Sequence, residues 1–324
     1  MKPLCSVQIE LTNHCNYKCK FCPQAYYKDP LYKDTPFNRK KGYMSFELFK
    51  RSVTQCKNFA QEINFSYFGE PTLHPEYRKM FRWLKHNKGH LRIILNSNLS
   101  LVTNDIFDTW MDTGITQCRF SIDAATSATY DKVRPGGPVK DYLTGEFKSY
   151  QDRLTKIKEK VIVWFQKNGH CPTRHVFVVC KRNKNEIVDY LRFRQPWLGP
   201  NDEILVKSVL SYGGVIHRGT PGFEEITKNN PCNIWSQNSL TIAWNGDITP
   251  CNLDVNVGLR VGNIKNNTLK ELHRGQKWQQ LKKMSDKREI IPCKTCHDAN
   301  NWTKNVVIKK GDKINNAIAN SFSS

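Results

Sequence analysis

Short apolar runs alternate with longer stretches in which apolar residues recur every three or four positions, and the alternation persists through the first two thirds of the chain. Val7 to Leu11, Glu62 to Tyr67, Leu91 to Leu95, Gln117 to Ser121, His175 to Cys180 and Glu203 to Val209 read as strands. Between them, Phe46, Phe49, Val53, Cys56 and Ala60 form a helical stripe behind a Ser45 cap, and Tyr77, Met80, Phe81 and Leu84 a second that starts at Pro75. A third stripe, Phe147, Tyr150, Leu154, Ile157, Val161 and Trp164, runs to Gly169, a residue suited to a helix C-terminus. Repeated strand-helix units imply right-handed crossovers and a parallel sheet, either doubly wound or curled into part of a barrel. Both place ligands at the C-terminal ends of strands.

After about residue 210 the alternation stops. Gly213, Gly214, Gly219, Pro221 and Gly222 mark a linker over residues 211–230. A smaller unit over 231–300 contains the hairpin-like "SLTIAWNGDITPC", with Asn245 and Gly246 as its turn, and closes at "PCKTC". Residues 301–324, with Lys304, Lys309, Lys310 and Lys313, read as a basic, partly ordered tail.

Charge narrows the partners. Fifty Lys and Arg against 29 Asp and Glu leave +21, spread along the chain. Such a field favours an anionic substrate or carrier, while nucleic acid is less favoured because no compact binding signature accompanies the charge. No run approaches the roughly 18 apolar residues of a membrane span, and "MKPLCSVQIELTNHC" lacks a signal-peptide core, so a cytoplasmic protein with no membrane partner is expected. In such a chain, twelve cysteines point to metal or redox chemistry before disulfides.

Two sets of cysteines carry that chemistry. Cys15, Cys19 and Cys22, in "NHCNYKCKFCPQ", form C-x3-C-x2-C just after the first strand. Three thiolates can hold three corners of a cubane iron-sulfur cluster and leave the fourth iron open. An open position marks a reacting metal site. The alternative is zinc held by the three thiolates and His14. Cys232, Cys251, Cys293 and Cys296 form C-x18-C-x41-C-x2-C, which can close a site around tetrahedral zinc or a fully ligated cluster.

The first motif, with aromatic Phe21 before its last cysteine, resembles that of the radical S-adenosylmethionine (SAM) enzymes. The resemblance implies an α/β fold, a partial (β/α)6 TIM-like barrel over residues 1–210, whose open iron is chelated by the amino and carboxylate groups of SAM. One electron then splits SAM, giving a 5'-deoxyadenosyl radical that abstracts a substrate hydrogen. "YFGEPTLHPE" is similar to the family's Gly-Glu-Pro segment, so Gly69, Glu70 and Pro71 would receive the SAM amino group; Phe68 replaces a common glycine. "LNSNLS" resembles a nucleoside-contacting segment, with Asn98 the contact. In "FSIDAATSATYDKVRPGG", Ser121 and Asp123 would line the SAM pocket and Arg134 would pair with its carboxylate through a bidentate fork; Ala124 stands where glycine is commoner.

The second cysteine set resembles the C-terminal SPASM and twitch units. Full SPASM units carry seven cysteines and two auxiliary clusters, whereas the sequence shows none beyond Cys296. The resemblance therefore implies one auxiliary 4Fe-4S cluster and two clusters in all. A molybdenum-cofactor cyclase of the same superfamily holds its C-terminal cluster with three cysteines and ends in Gly-Gly; four cysteines and "SFSS" set that assignment aside.

A fully ligated auxiliary cluster suits electron transfer, which favours oxidation or epimerisation of a sugar, polyol or aminocyclitol-like metabolite, fed by a reductant such as flavodoxin or ferredoxin. Three residues are candidates for the chemistry. Asp254 lies two residues beyond Asn252, where relatives that oxidise a protein side chain carry a base. Glu10 alternates with Gln8 toward the barrel mouth, and Cys180, at a strand end, could donate a hydrogen as in epimerising relatives. Lys207 and Tyr212 are further substrate contacts. One rival is modification of a ribosomally made peptide or protein side chain, although many such relatives carry an N-terminal leader-binding domain and only fourteen residues precede Cys15. The rival of another class is a zinc-containing nucleic-acid-binding protein.

Overall fold

In the computed structural model, which describes residues 4–26, 37–137, 139–140, 144, 146–148, 153–168, 171–212, 232–236, 238–296 and 305–322, the period-two runs form strands whose alternate residues are buried. These are β1 (Ser6–Ile9), β2 (Glu62–Phe65), β3 (Arg92–Ser97), β4 (Gln117–Ser121), β5 (Val139–Lys140), β6 (Phe147–Lys148), β7 (Thr173–Val179) and β8 (Glu203–Ser208). Beyond them come β9 (Ser239–Ile242), β10 (Asp247–Thr249), β11 (Gly262–Asn263) and β12 (Asn305–Ile308). The main sheet runs β11-β10-β9-β1-β2-β3-β4-β7-β8-β12, and β5 pairs with β6 apart from it.

Neighbours from β1 to β8 are parallel and follow chain order. A doubly wound sheet would reverse that order at a switch point. The architecture is therefore the curled one, an α/β partial barrel. Its helices are α1 (Phe46–Phe59), α2 (Tyr77–Asn87), α3 (Asn104–Thr113), α4 (Ser127–Val133), α5 (Arg153–Asn168) and α6 (Ile187–Arg194). Ser45 caps α1 by accepting from the Leu48 N–H at 3.3 Å. Gly114 ends α3 in the left-handed region at φ 71.

Val7, Ile9, Ile63, Phe65, Leu95, Phe120 and Phe177 form the outward face of the strands and are fully buried beneath the helices. Each such side chain contributes about 1.5–3 kcal/mol on burial. The alternate positions, Gln8, Asn64, Asn96, Arg119, Ser121, Arg174 and Lys207, are half-buried and polar. They line the barrel lumen.

Three regions differ from the sequence reading. The third helical stripe begins at Arg153 because Phe147 is drawn into the β5–β6 hairpin, opposite Lys140; Tyr150 and Gly169 lie outside the described residues. The cysteine-bearing unit, with α7 (Leu269–Leu272) and α8 (Gln276–Asp286), extends the barrel sheet: β9 pairs parallel with β1, and β10 folds back antiparallel on β9. The tail places β12 antiparallel on β8 and packs α9 (Asn316–Asn320) against α6. The linker glycines and Lys304 lie outside the described residues. No helix among the described residues is long and apolar enough to cross a membrane.

Candidate active site

Cys15, Cys19 and Cys22 stand on the loop that leaves β1 at the C-terminal end of the barrel, and backbone bonds shape that loop. Cys22 N donates to Cys19 O at 2.9 Å, Lys18 N to Pro135 O at 2.7 Å and Lys20 N to Val133 O at 2.9 Å. Gln24 and Lys41 both donate to Asn13 O, at 2.6 and 2.8 Å. Gly136 lies so close under Tyr17 that a Cβ there would meet the ring at 1.5 Å. Phe21 is buried in the core beneath the loop.

The thiols lie close enough to act on one another. Burial first, then the neighbouring Cys19, raises Cys15 and brings Cys22 up to about 12. Three such groups ionise together only around a cationic metal centre. Among the described residues no three His, Cys, Asp or Glu side chains gather around a single ion position. A zinc ion draws its ligand atoms to about 2.0–2.3 Å, whereas cubane corners take one thiolate per iron. His14 turns to stack on Tyr43, with ring centroids 4.5 Å apart.

The segments after β2, β3 and β4 lock this loop in place. Gly69 has φ 120, and a Cβ there would stand 2.2 Å from Thr12 O and 2.9 Å from His14 O. Only glycine allows that approach. Glu70 N donates to His14 O at 2.9 Å, and Pro71 opens a short 3-10 turn. The buried Glu70 carboxylate accepts from Asn98 N at 2.8 Å, Thr72 Oγ1 at 2.8 Å and Ser97 Oγ at 3.0 Å. Asn98 accepts from Ser100 N at 2.9 Å and donates to Asn16 Oδ1 at 3.1 Å, tying β3 to the cysteine loop. The Asn98 side chain thus holds the loop directly, and the Glu70 carboxylate holds Asn98. Phe68 packs its ring against Phe37 and Tyr212, and the positive φ falls on its neighbours Tyr67 and Gly69.

Asp123 adopts φ 61 and is fully buried. It accepts from Val178 N at 2.6 Å and pairs with the buried Arg134. Arg134 also lies in the field of Cys19, and its buried Nε has no hydrogen-bond partner among the described residues. Ala124 is buried at ordinary φ, so the missing glycine costs nothing there. Ser121 is half-buried on the lumen face, beside Val176 of β7.

In the C-terminal unit, Cys232, Cys251, Cys293 and Cys296 line one pocket with Ile234, Trp235, Leu253 and Ser285. The apolar wall and the four thiols that line it suit a group that needs no further ligand. Burial, then Asp254, raises Cys251; burial raises Cys293, opposed by the hydrogen bond to Ser285. Arg288 donates to the carbonyls of Cys293 and Cys296, at 3.1 and 3.0 Å.

The proposed chemical residues are held by other bonds. Arg39 grips Glu10 with two bonds, 2.8 and 2.7 Å, and Trp244 N adds a third at 3.1 Å. Asp254 accepts from Leu259 N at 2.7 Å, Gly258 N at 2.9 Å and Thr249 Oγ1 at 2.9 Å, closing the turn that follows Cys251. Acting as a base would require either carboxylate to leave these bonds. Cys180 is a buried free thiol in a turn tied by Asn183, whose amide donates to Asp123 O at 2.9 Å. Arg39, Lys41 and Gln24 escaped the sequence reading because they lie in irregular segments without periodicity. Cys56, Cys118 and Cys171 are buried free thiols, and Cys5 is exposed.

A family model described as the radical SAM superfamily matches residues 9–145, and one described as an iron-sulfur cluster-binding domain, SPASM, matches 232–297. The chain is 26% identical over 274 residues to a tungsten-containing aldehyde ferredoxin oxidoreductase cofactor-modifying protein of Pyrococcus furiosus, covering 75% of this chain and 69% of that protein. It is 22% identical over 178 residues to a GTP 3',8-cyclase of Actinobacillus pleuropneumoniae, covering 55% of this chain and 49%, about half, of the cyclase. Among solved structures, BtrN in complex with AdoMet and 2-DOIA superposes with TM-score 0.58 at 17% identity, covering 91% of this chain and 94% of BtrN. SuiB of Streptococcus suis bound to the precursor peptide SuiA gives TM-score 0.64 at 13% identity, covering 87% and 67%. Native anSMEcpe with bound AdoMet gives 0.61 at 18% identity, covering 98% and 95%.

Proposed function

Because the chain belongs to the radical SAM superfamily and carries a SPASM-type iron-sulfur unit, we propose that it oxidises or epimerises a sugar, polyol or aminocyclitol-like metabolite. Its cofactors are SAM and 4Fe-4S clusters. Bound together, the three-thiol cluster and SAM supply a 5'-deoxyadenosyl radical that abstracts a substrate hydrogen. Cys15, Cys19 and Cys22 would hold that cluster, and the unpartnered Arg134 Nε is the donor we assign to the SAM carboxylate. Gly69, Glu70 and Asn98 keep the loop in register.

The observation that carries the reading is the contrast between the two thiol sets. Four cysteines line the C-terminal pocket, enough to fill every corner of a cubane, which suits a group that only accepts or passes electrons. Its hairpin pairs directly with β1, the strand that leads into the three-cysteine loop. Near-complete overlap with BtrN, a structure holding 2-DOIA, supports a small substrate. A peptide substrate is the second reading, supported by the shared fold with SuiB bound to SuiA and anSMEcpe bound to the Cp18Cys peptide. The reductant would be flavodoxin or ferredoxin, acidic carriers that a +21 chain attracts.

Anaerobic reconstitution should yield a brown protein with about eight irons, two cubanes' worth, that forms 5'-deoxyadenosine from SAM and dithionite. Absence of 5'-deoxyadenosine would overturn the catalytic reading. Deuterium transfer from labelled polyols, aminocyclitols or peptides into 5'-deoxyadenosine decides between the two substrate classes.

A further inference from the structure

The lumen carries more positive charge than its own carboxylates neutralise. One row across the sheet contains Asn96 of β3, Arg119 of β4, Arg174 of β7 and Glu203 of β8, each opposite the next. Glu203 is taken by Arg174, and Glu62 lies 3.5 Å from Arg92. Asp123, nearest the mouth, is taken by Arg134. Two cations remain. Arg119 uses Nε on Gln117 Oε1 at 2.9 Å, and its terminal amino groups meet no acceptor among the described residues. Lys207, toward the C-terminal end of β8 and opposite Val178, forms neither an ion pair nor a side-chain hydrogen bond among them. Burial, then the adjacent Arg174, lowers Arg119 to about 10 against the opposing pull of Glu62 and Glu203, and burial lowers Lys207 against the opposing pull of Asp123, so each cation is poorly solvated and only partly offset by carboxylates already bound to other cations.

Neighbouring positions on the same face are polar but neutral. Asn96 donates to Asn64 Oδ1 at 2.6 Å, and Thr241 donates to Gln8 Oε1 at 3.2 Å. The positive charge is therefore concentrated on the β4–β8 side, just below the Asp123–Arg134 pair. Two cations without a direct ion pair among the described residues, in a partly desolvated lumen, are stabilised when an anion enters.

We propose that Arg119 and Lys207 form an oxyanion subsite that grips a carboxylate or phosphate group of the substrate inside the barrel. This assignment rests on the radical SAM reading for the word substrate, but its binding test does not. The planar Arg119 fork fits two oxygens of the group, and the Lys207 ammonium adds a point charge nearer the mouth. A molecule held there by its anionic end is aligned along the barrel axis, with its other end toward the cysteine loop.

The test titrates reconstituted, SAM-saturated protein by calorimetry at constant ionic strength, with inorganic phosphate in one arm and acetate in the other. Saturable one-to-one binding of at least one probe is expected, and the tighter probe identifies the anion. Arg119→Gln and Lys207→Gln should each weaken that binding about tenfold or more, the loss of a charge-assisted hydrogen bond. Lys277→Gln, an exposed change of equal charge, should leave it unchanged. Circular dichroism identifies any variant that misfolds, and the other variant then carries the comparison. No saturable binding by wild type, or equal binding in well-folded variants, overturns the subsite. Deoxyadenosine formation by wild type in the same preparation separates the two failures: product without oxyanion binding removes only the subsite, and no product removes the radical SAM reading.

Discussion

Replacing Glu10 by alanine should unfold this protein more readily before it alters any chemistry. The carboxylate side chain is fully buried and its partner Arg39 only 10% exposed, joined by a bidentate pair at 2.7 and 2.8 Å. Arg39 also donates to Val255 O at 2.8 Å, and Glu10 accepts from Trp244 N. The pair therefore clasps the end of β1, the segment around residue 39 and the cysteine-bearing unit. Removing one partner strands a buried guanidinium, which costs about 3–5 kcal/mol. At a urea slope of about 3 kcal/mol/M, the upper end of the usual range, the unfolding midpoint falls by about 1 M or more. Arg39→Met should cost about as much. The double variant Glu10→Leu/Arg39→Met should be less destabilised than either single one, because an apolar pair of similar size leaves no charge unpaired. Anaerobic urea titrations followed by circular dichroism, with 5'-deoxyadenosine formation measured in parallel, provide the readout. A Glu10→Ala variant of wild-type stability that makes no 5'-deoxyadenosine would refute this reasoning and return Glu10 to the chemistry.

Gly69→Ala should cost about 1–3 kcal/mol for the unfavourable backbone alone and slow SAM cleavage further as the cysteine loop shifts; an unchanged midpoint and rate would count against the close approach. Alanine at Cys15, Cys19 or Cys22 should abolish 5'-deoxyadenosine formation, whereas alanine at Cys293 or Cys296 should lower the iron content yet leave some cleavage. Iron assay and chromatography separate the two outcomes. Burial holds His273 at about 4, below its ordinary 6.5. The unfolded chain therefore binds the extra proton between those values, and stability falls as pH drops through that window. Between pH 7.5 and 5.5, wild type should lose more urea resistance than His273→Leu; equal losses would assign the pH dependence to other groups.

The six barrel strands and both thiol sets were legible because each is written locally. Alternation along Gln117–Ser121 places Cys118 and Phe120 in the core and Arg119 in the lumen, wherever the rest of the chain goes. Gly69 was legible too, but its reason was not: the two carbonyls it approaches lie on the cysteine loop more than fifty residues earlier. The tail read as a basic segment because "NVVI" is short and flanked by lysines, yet the edge of β8 offers it unpaired backbone groups to bond.

What the sequence by itself determined is the inventory: repeated strand-helix units, three thiolates on one loop and four in a later unit. Periodicity and covalent spacing are properties of neighbouring residues, so they survive without a fold. Tertiary structure decided which polar groups remain free to act. Glu10 and Asp254 look alike as candidate bases in one dimension, and both are committed once Arg39 closes on the first and the Gly258–Leu259 turn on the second. Among the described residues, Arg119 and Lys207 are left without such partners. Whether a charge is spent or available depends on what desolvates and pairs it, and those groups come from distant parts of the chain.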